Sequence, residues 1–157
     1  MEKILLIEDN EDVRENTTAL LELANYRVVA AENGKIGVEM AKKNKLDLII
    51  CDIMMPELDG YGVLQTLSKH YKTASIPFIF LTAKTEKDDI RKGMNLGADD
   101  YLTKPFSEQE LLEAVKSRLK KHSFLKKQFS QNVQGITEFL EDVSEYLDLE
   151  SISRDYS

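Results

Sequence analysis

Leu46-Asp47-Leu48-Ile49-Ile50-Cys51-Asp52, residues 46–52, is an apolar run that stops at a carboxylate. A short succession of β-branched and aliphatic residues without polar alternation reads as a strand buried on both faces, as parallel sheets contain. A second such run, Lys3-Ile4-Leu5-Leu6-Ile7, ends the same way, in Glu8-Asp9. Parallel strands direct their carboxyl ends to one edge, so three acidic residues roughly forty positions apart are expected to converge there. Clustered carboxylates repel one another and resist losing water, and a cation among them relieves both costs. Hard oxygen donors in that number suit Mg2+ better than a transition metal.

Outward from these runs the pattern alternates between two periods. Further short apolar runs lie at Arg27–Ala30, Ile76–Leu81 and Ala98–Leu102, making five with Ile4–Ile7 and Leu46–Cys51. Between and after them the apolar residues recur at helical spacing, as in Val13, Leu20, Leu21 and Leu23, or Leu111, Leu112, Val115 and Leu119. Gly34 and Gly60 sit at junctions and Gly97 stands where a helix C-cap belongs. Ser107 with Glu110 has capping-box spacing. Five strands alternating with five helices predict an α/β fold, a doubly wound five-stranded parallel sheet covered on both faces. Function collects at the carboxyl ends of such strands, and Glu8, Asp9, Asp52, Thr82 and Lys104 all fall there.

The bulk composition narrows the function classes. The 157 residues leave room for one ordinary domain and an appendage, and 42% hydrophobic with 31% charged residues is a globular balance. The net charge of -7 argues against direct nucleic-acid binding, and the run Lys116-Ser117-Arg118-Leu119-Lys120-Lys121 reads as a solvated helix face. No apolar run reaches the ~18 residues of a membrane span, and the N-terminus lacks signal-peptide architecture, so a cytoplasmic protein is expected. Cys51 reads as a core thiol, and His70 and His122 as surface residues without metal-ligand spacing.

Four segments together carry a specific resemblance: Glu8-Asp9; Asp52 followed by Met54-Met55-Pro56-Glu57-Leu58-Asp59-Gly60; Leu81-Thr82-Ala83; and Gly97-Ala98-Asp99-Asp100-Tyr101-Leu102-Thr103-Lys104-Pro105-Phe106. In this order and spacing the chain resembles the receiver domain of bacterial two-component response regulators over residues 1–121. The resemblance implies the flavodoxin-like strand order 2-1-3-4-5. It implies that Asp52 accepts a phosphoryl group from a sensor histidine kinase or phosphotransfer protein. Mg2+ is then held by Glu8, Asp9, Asp52 and the backbone carbonyl of Met54. Lys104 and Thr82 contact phosphoryl oxygens, Thr82 and Tyr101 act as the switch, and the Lys104-Pro105 bond is cis. Taken singly these residues have plainer readings: Glu8 and Asp9 as helix-capping acids, Thr82 as a strand-end residue, Lys104 as part of a turn, Tyr101 as a half-buried edge aromatic.

The face expected to switch is the fourth helix, fifth strand and fifth helix, with Lys87, Asp88, Arg91 and Lys92 near Asp99, Asp100 and Glu113. Its mixed charges suit a self-complementary homodimer, the expected reading, or a solvated face. Met54 and Lys84 flank the site and offer no carboxylate or amide to orient a water, which predicts a longer-lived phosphoryl group than in fast chemotaxis-type receivers.

Residues 122–157 extend past the resemblance and carry three basic against seven acidic residues. Phe129, Ile136 and Val143 recur there seven apart, with Val133, Phe139-Leu140 and Tyr146-Leu147 between and Gly135 interrupting. The expectation is a helical extension, as a coiled coil, a folded-back helix or a linker. Its end, Ile152–Ser157, reads as a polar linker to an output domain outside the sequence, with transcriptional control as the expected output. The alternatives are a stand-alone receiver acting through protein contacts and a Mg2+-dependent phosphohydrolase with an aspartyl nucleophile. The latter needs a second aspartate two residues on, where the chain has Met54, so a multiple-turnover enzyme is not expected.

Overall fold

The computed structural model describes residues 1–83 and 87–155. Five strands, β1 (Lys3–Ile7), β2 (Arg27–Ala31), β3 (Leu48–Asp52), β4 (Phe78–Thr82) and β5 (Asp100–Thr103), form one parallel sheet in the order β2-β1-β3-β4-β5. They alternate with α1 (Glu11–Leu23), α2 (Gly34–Lys43), α3 (Gly60–Ser68), α4 (Lys87–Asn95) and α5 (Glu108–Asp155). This is the doubly wound fold and strand order expected.

The continuous apolar runs are explained by helices on both faces. Alternate residues Leu5, Ile7, Ile49, Cys51, Phe78 and Phe80 join α2 and α3 side chains such as Val38, Ala41, Val63 and Leu67 in one core. Their neighbours Ile4, Leu6, Leu48, Ile50, Ile79 and Leu81 pack with Leu21 of α1 and Leu111 and Val115 of α5 in the other. Gly93 lets α4 approach the first of these, since a Cβ there would lie 2.9 Å from the Phe80 ring.

Three strands begin later than their apolar runs, each for a local hydrogen-bonding reason. Asp47 precedes β3, accepting the Lys3 N–H on its carboxylate at 2.8 Å and donating its own N–H to the Lys3 carbonyl. Pro77 has no N–H to give, though its carbonyl accepts from Ile49, so β4 starts at Phe78. Ahead of β5, Ala98 donates to the Gly93 carbonyl and Gly97 (φ 105°) to Met94, which together close α4 in a Schellman motif.

Helix α5 opens with the reciprocal capping box: Glu110 N–H donates to Ser107 Oγ at 3.0 Å, and Ser107 N–H to Glu110 Oε1 at 3.3 Å. The helix then runs 48 residues without a break. The helix takes in residues 152–155, part of the stretch read as a polar linker, and no proline or glycine follows Gly135 to stop it. Tyr156 and Ser157 lie outside the described residues. The chain divides into two units, Met1–Leu119 and Lys120–Ser157.

Candidate phosphoryl-acceptor site

Strand register accounts for the convergence of the acidic residues. Ile7 pairs with Cys51, so the next residues along, Glu8 and Asp52, stand abreast at the carboxyl edge. Asp52 pairs with Leu81, and Thr82 with Thr103, which sets Thr82 and then Lys104 on the same edge. Beyond the strands the ladder continues: Glu8 N–H donates to Ala31, Ile53 N–H to Leu81 and Lys104 N–H to Thr82. The peptide bond between Lys104 and Pro105 is cis.

Carboxylate oxygens of Glu8, Asp9 and Asp52 lie within 4.8 Å of one another. Glu8 is 0% and Asp52 4% exposed, while Asp9 is open to solvent. The ammonium of Lys104 pairs with Glu8 Oε1 and lies 3.4 Å from Asp52 Oδ1. Glu8 Oε2 is buried without a hydrogen-bond partner. A buried acceptor left without a partner costs on the order of 1–3 kcal/mol, which a cation within reach would offset. Two buried carboxylates, one exposed one and an unsatisfied hard oxygen fit a small divalent cation of the Mg2+ type.

The electrostatics follow from this crowding. Burial, the hydrogen bond with Glu8 and the Glu8 charge push the Asp52 carboxyl up to about 7, against the opposing pull of Lys104. Burial alone would lower the Lys104 ammonium, but the Glu8 hydrogen bond and the Asp52 charge outweigh it and raise it. Burial, then the Asp52 charge, pushes the Cys51 thiol well up. The thiol donates to the Asp52 carbonyl at 3.3 Å, a core role.

Helix capping falls to neither Glu8 nor Asp9. Asn10 is the N-cap of α1, its Oδ1 accepting the Val13 N–H at 3.1 Å, which leaves both acids for the site. Arg14, which the sequence reading did not single out, donates from Nη1 to the Glu8 carbonyl at 2.8 Å and holds the β1–α1 turn. Its signal was available: a cation one helical turn after a capping Asn points back to the loop before it.

The loop after Asp52 is held as tightly. Glu57 has φ 66°, and Leu58 N–H donates to the Pro56 carbonyl, a γ-turn in the positive-φ region. Asp59 caps α3 through Gly62 N–H at 2.8 Å. Gly60 donates to the Ile53 carbonyl, and a Cβ on it would come 2.4 Å from the Asp52 carbonyl oxygen. The Met54 side chain is 56% exposed, and Lys84 lies outside the described residues.

On the neighbouring face, Thr82 is buried at the end of β4, and Tyr101, on the edge strand β5, is 38% exposed. Asp99, counted with the mixed charges of that face, accepts the Phe78 N–H at 2.7 Å and serves the sheet instead. Arg118 approaches Asp100 at 3.7 Å. Tyr61, at the start of α3, donates to the Asp89 carbonyl of α4 at 3.0 Å, with Lys92 over its ring.

Residues 4–116 match the family described as the response regulator receiver domain. The chain is 46% identical over 123 residues to the transcriptional regulatory protein HprR of Escherichia coli, covering 78% of this chain and 54% of that protein. It is 39% identical over 119 residues to the protein PilH of Pseudomonas aeruginosa, covering 76% of this chain and 98% of that one. A solved structure, the receiver domain of the sensor histidine kinase PA1611 from Pseudomonas aeruginosa with a magnesium ion in its active-site cleft, superposes with a TM-score of 0.71. That likeness has 31% identity and covers 76% of this chain and 98% of the other. The chain spans about half the length of the curated transcriptional regulators it matches. Among the described residues no helix is long and apolar enough to cross a membrane.

Proposed function

The chain belongs to the family of response regulator receiver domains, and from that premise we propose that Asp52 is the phosphoryl acceptor of a two-component switch. The observation that carries this reading is the buried pair Glu8–Asp52 with Lys104 reaching both. The donor is a phosphohistidine of a sensor kinase or phosphotransfer protein. A carboxylate oxygen of Asp52 forms a bond to phosphorus as the phosphorus–nitrogen bond of the donor breaks, and the donor imidazole keeps the electron pair.

Glu8, Asp9, Asp52 and the Met54 carbonyl are the residues that would hold Mg2+, which supplies charge neutralisation at the phosphoryl oxygens. The other roles belong to the protein's own groups. Lys104, already drawn between two carboxylates, transfers its ammonium from Asp52 to a phosphoryl oxygen without leaving the pocket. Thr82, buried one residue along β4 from the partner of Asp52, supplies a hydroxyl to a second oxygen. Arg14 and the α1 cap hold Glu8 and Asp9 in place while the charge changes. The modification adds nearly two negative charges at one point, and Thr82 with Tyr101 relays it to the face of α4, β5 and the first turns of α5.

The output is regulatory. Likeness to HprR supports transcriptional control through a segment beyond this chain, and likeness to PilH, matched along almost its whole length, supports action through protein contacts instead. Either form would work in the cytoplasm, where a kinase can reach it, and neither is a multiple-turnover enzyme.

The test is incubation with Mg2+ and a small phosphodonor, read by intact mass. One added phosphoryl group is expected in the wild type and none in Asp52→Asn. A group retained in that variant would remove Asp52 from the role.

A further inference from the structure

We propose that residues 129–147 of α5 pair with the same stretch of a second copy of the chain, so that the protein is a dimer whether or not Asp52 is phosphorylated. The register is that of a coiled-coil seam. Val133, Leu140 and Leu147 occupy successive a positions, and Phe129, Ile136 and Val143 the d positions between them, an unbroken alternation of three- and four-residue steps. All six are 37–69% exposed. Phe139 and Tyr146 widen the stripe at g, also exposed.

Area points the same way. These side chains expose roughly 800 Å2 per helix, so two helices would bury ~1,600 Å2, the size of a standard specific interface. A helix that buries no face of its own is marginal in water, so this length of α5 needs a partner to persist.

The polar pattern selects a copy of itself over other occupants. The e positions Ser130, Thr137 and Ser144 are uncharged, as is Asn132 at g, so pairing like with like opposes no charges beside the seam. The Thr137 hydroxyl is satisfied within the helix, donating to the Val133 carbonyl at 2.9 Å. Glu138, Glu141, Asp142 and Glu145 all fall at b, c or f, on the far side. That acidic back also argues against a membrane surface, which favours helices with a basic one.

The pairing does not rest on phosphotransfer, and its test is independent of it. Sedimentation equilibrium of the full chain carrying Asp52→Asn is expected to give twice the 17.9 kDa monomer mass at micromolar concentration. Adding Ile136→Glu with Leu140→Glu should weaken association at least a hundredfold and lower helical circular dichroism, while the thermal transition of residues 1–119 persists. Arg118→Glu, on the receiver face, should leave the doubled mass intact. A monomer in the parent protein, or a dimer that survives the double glutamate variant or is lost with Arg118→Glu, would overturn the proposal.

Discussion

Lys104 Nζ lies 3.4 Å from Asp52 Oδ1 while it also pairs with Glu8, so one ammonium serves two buried carboxylates that come from strands on either side of a register pair. That sharing helps the pocket tolerate two acids, while burial and the neighbouring Glu8 keep Asp52 hard to ionise. It also makes the site sensitive to any change in the cation count.

Removing the cation should therefore show at Asp52 first. In Lys104→Gln the Asp52 carboxyl is expected to titrate about one pH unit above its value near 7 in Mg2+-free protein, followed by the 13C shift of its carboxyl carbon. Phosphorylation by a small phosphodonor should slow at least tenfold. An unchanged titration would mean that Lys104 does not act electrostatically on Asp52.

Stability should depend on pH through the same group. The folded carboxyl titrates near 7 and the unfolded one near its ordinary 3.8, so between those values the folded state holds a proton that the unfolded chain releases. The contribution is fully present below the lower value, and Mg2+-free protein loses it as pH rises through the folded one. Asp52→Asn should flatten this slope and raise Tm at pH 8 by about 5 °C in Mg2+-free buffer. Mg2+ should stabilise the wild type increasingly as pH rises through 7 and do so less in the variant. Calorimetry across pH 4–8 reads both, and a parallel pH slope in the two proteins would contradict the assignment.

Gly60 places α3 against Asp52. A methyl group there meets the Asp52 carbonyl oxygen at 2.4 Å and Ile53 Cα at 2.8 Å, both backbone, so neither can yield by a rotamer change. Gly60→Ala should cost about 2 kcal/mol in urea unfolding and displace the loop that carries Met54. Phosphorylation should fall by more than the loss of folded protein explains.

The phosphoryl group should persist for minutes rather than seconds, because the exposed Met54 side chain offers no hydrogen bond to a water approaching the acyl phosphate. Met54→Asn supplies an amide at that point and should shorten the lifetime several-fold, measured as loss of label after removal of donor. A wild-type lifetime of seconds would refute this.

Gly135 falls at a c position, and a Cβ there meets nothing within 4 Å. Gly135→Ala should therefore stabilise the helix by about 0.5–1 kcal/mol per chain. It should also tighten self-association without altering phosphorylation, seen by sedimentation and mass respectively.

Much of this was legible in the chain because it is written in local patterns. Continuous apolar runs such as Ile4–Ile7 mean strands covered on both faces, and the helical spacings between them force parallel crossovers. Together they set the architecture and bring Glu8, Asp9, Asp52, Thr82 and Lys104 to one edge. The capping box at Ser107 and Glu110 and the left-handed Gly97 were equally local. The strand starts were less legible at Asp47 and Ala98, which look compatible with a strand until their hydrogen-bond partners are known, whereas the missing N–H of Pro77 could be read directly.

What the tertiary structure alone decided was how charge is shared at that edge. Pattern places Glu8 and Asp52 on adjacent strands, but only the register sets them abreast, and only burial beside the Glu8 carboxylate makes Asp52 resist ionisation. That Asn10 caps α1, that Arg14 braces the Glu8 carbonyl and that Glu8 Oε2 is left unsatisfied depend on directions in space that no spacing encodes. The heptads of α5 show the converse. The sequence alone shows their apolar stripe, since it repeats along one helix, and the structure adds that the stripe is exposed. Hydrophobic periodicity is a one-dimensional signal, whereas desolvation and Coulomb energy depend on distances between groups far apart in the chain, and these exist only once it has folded.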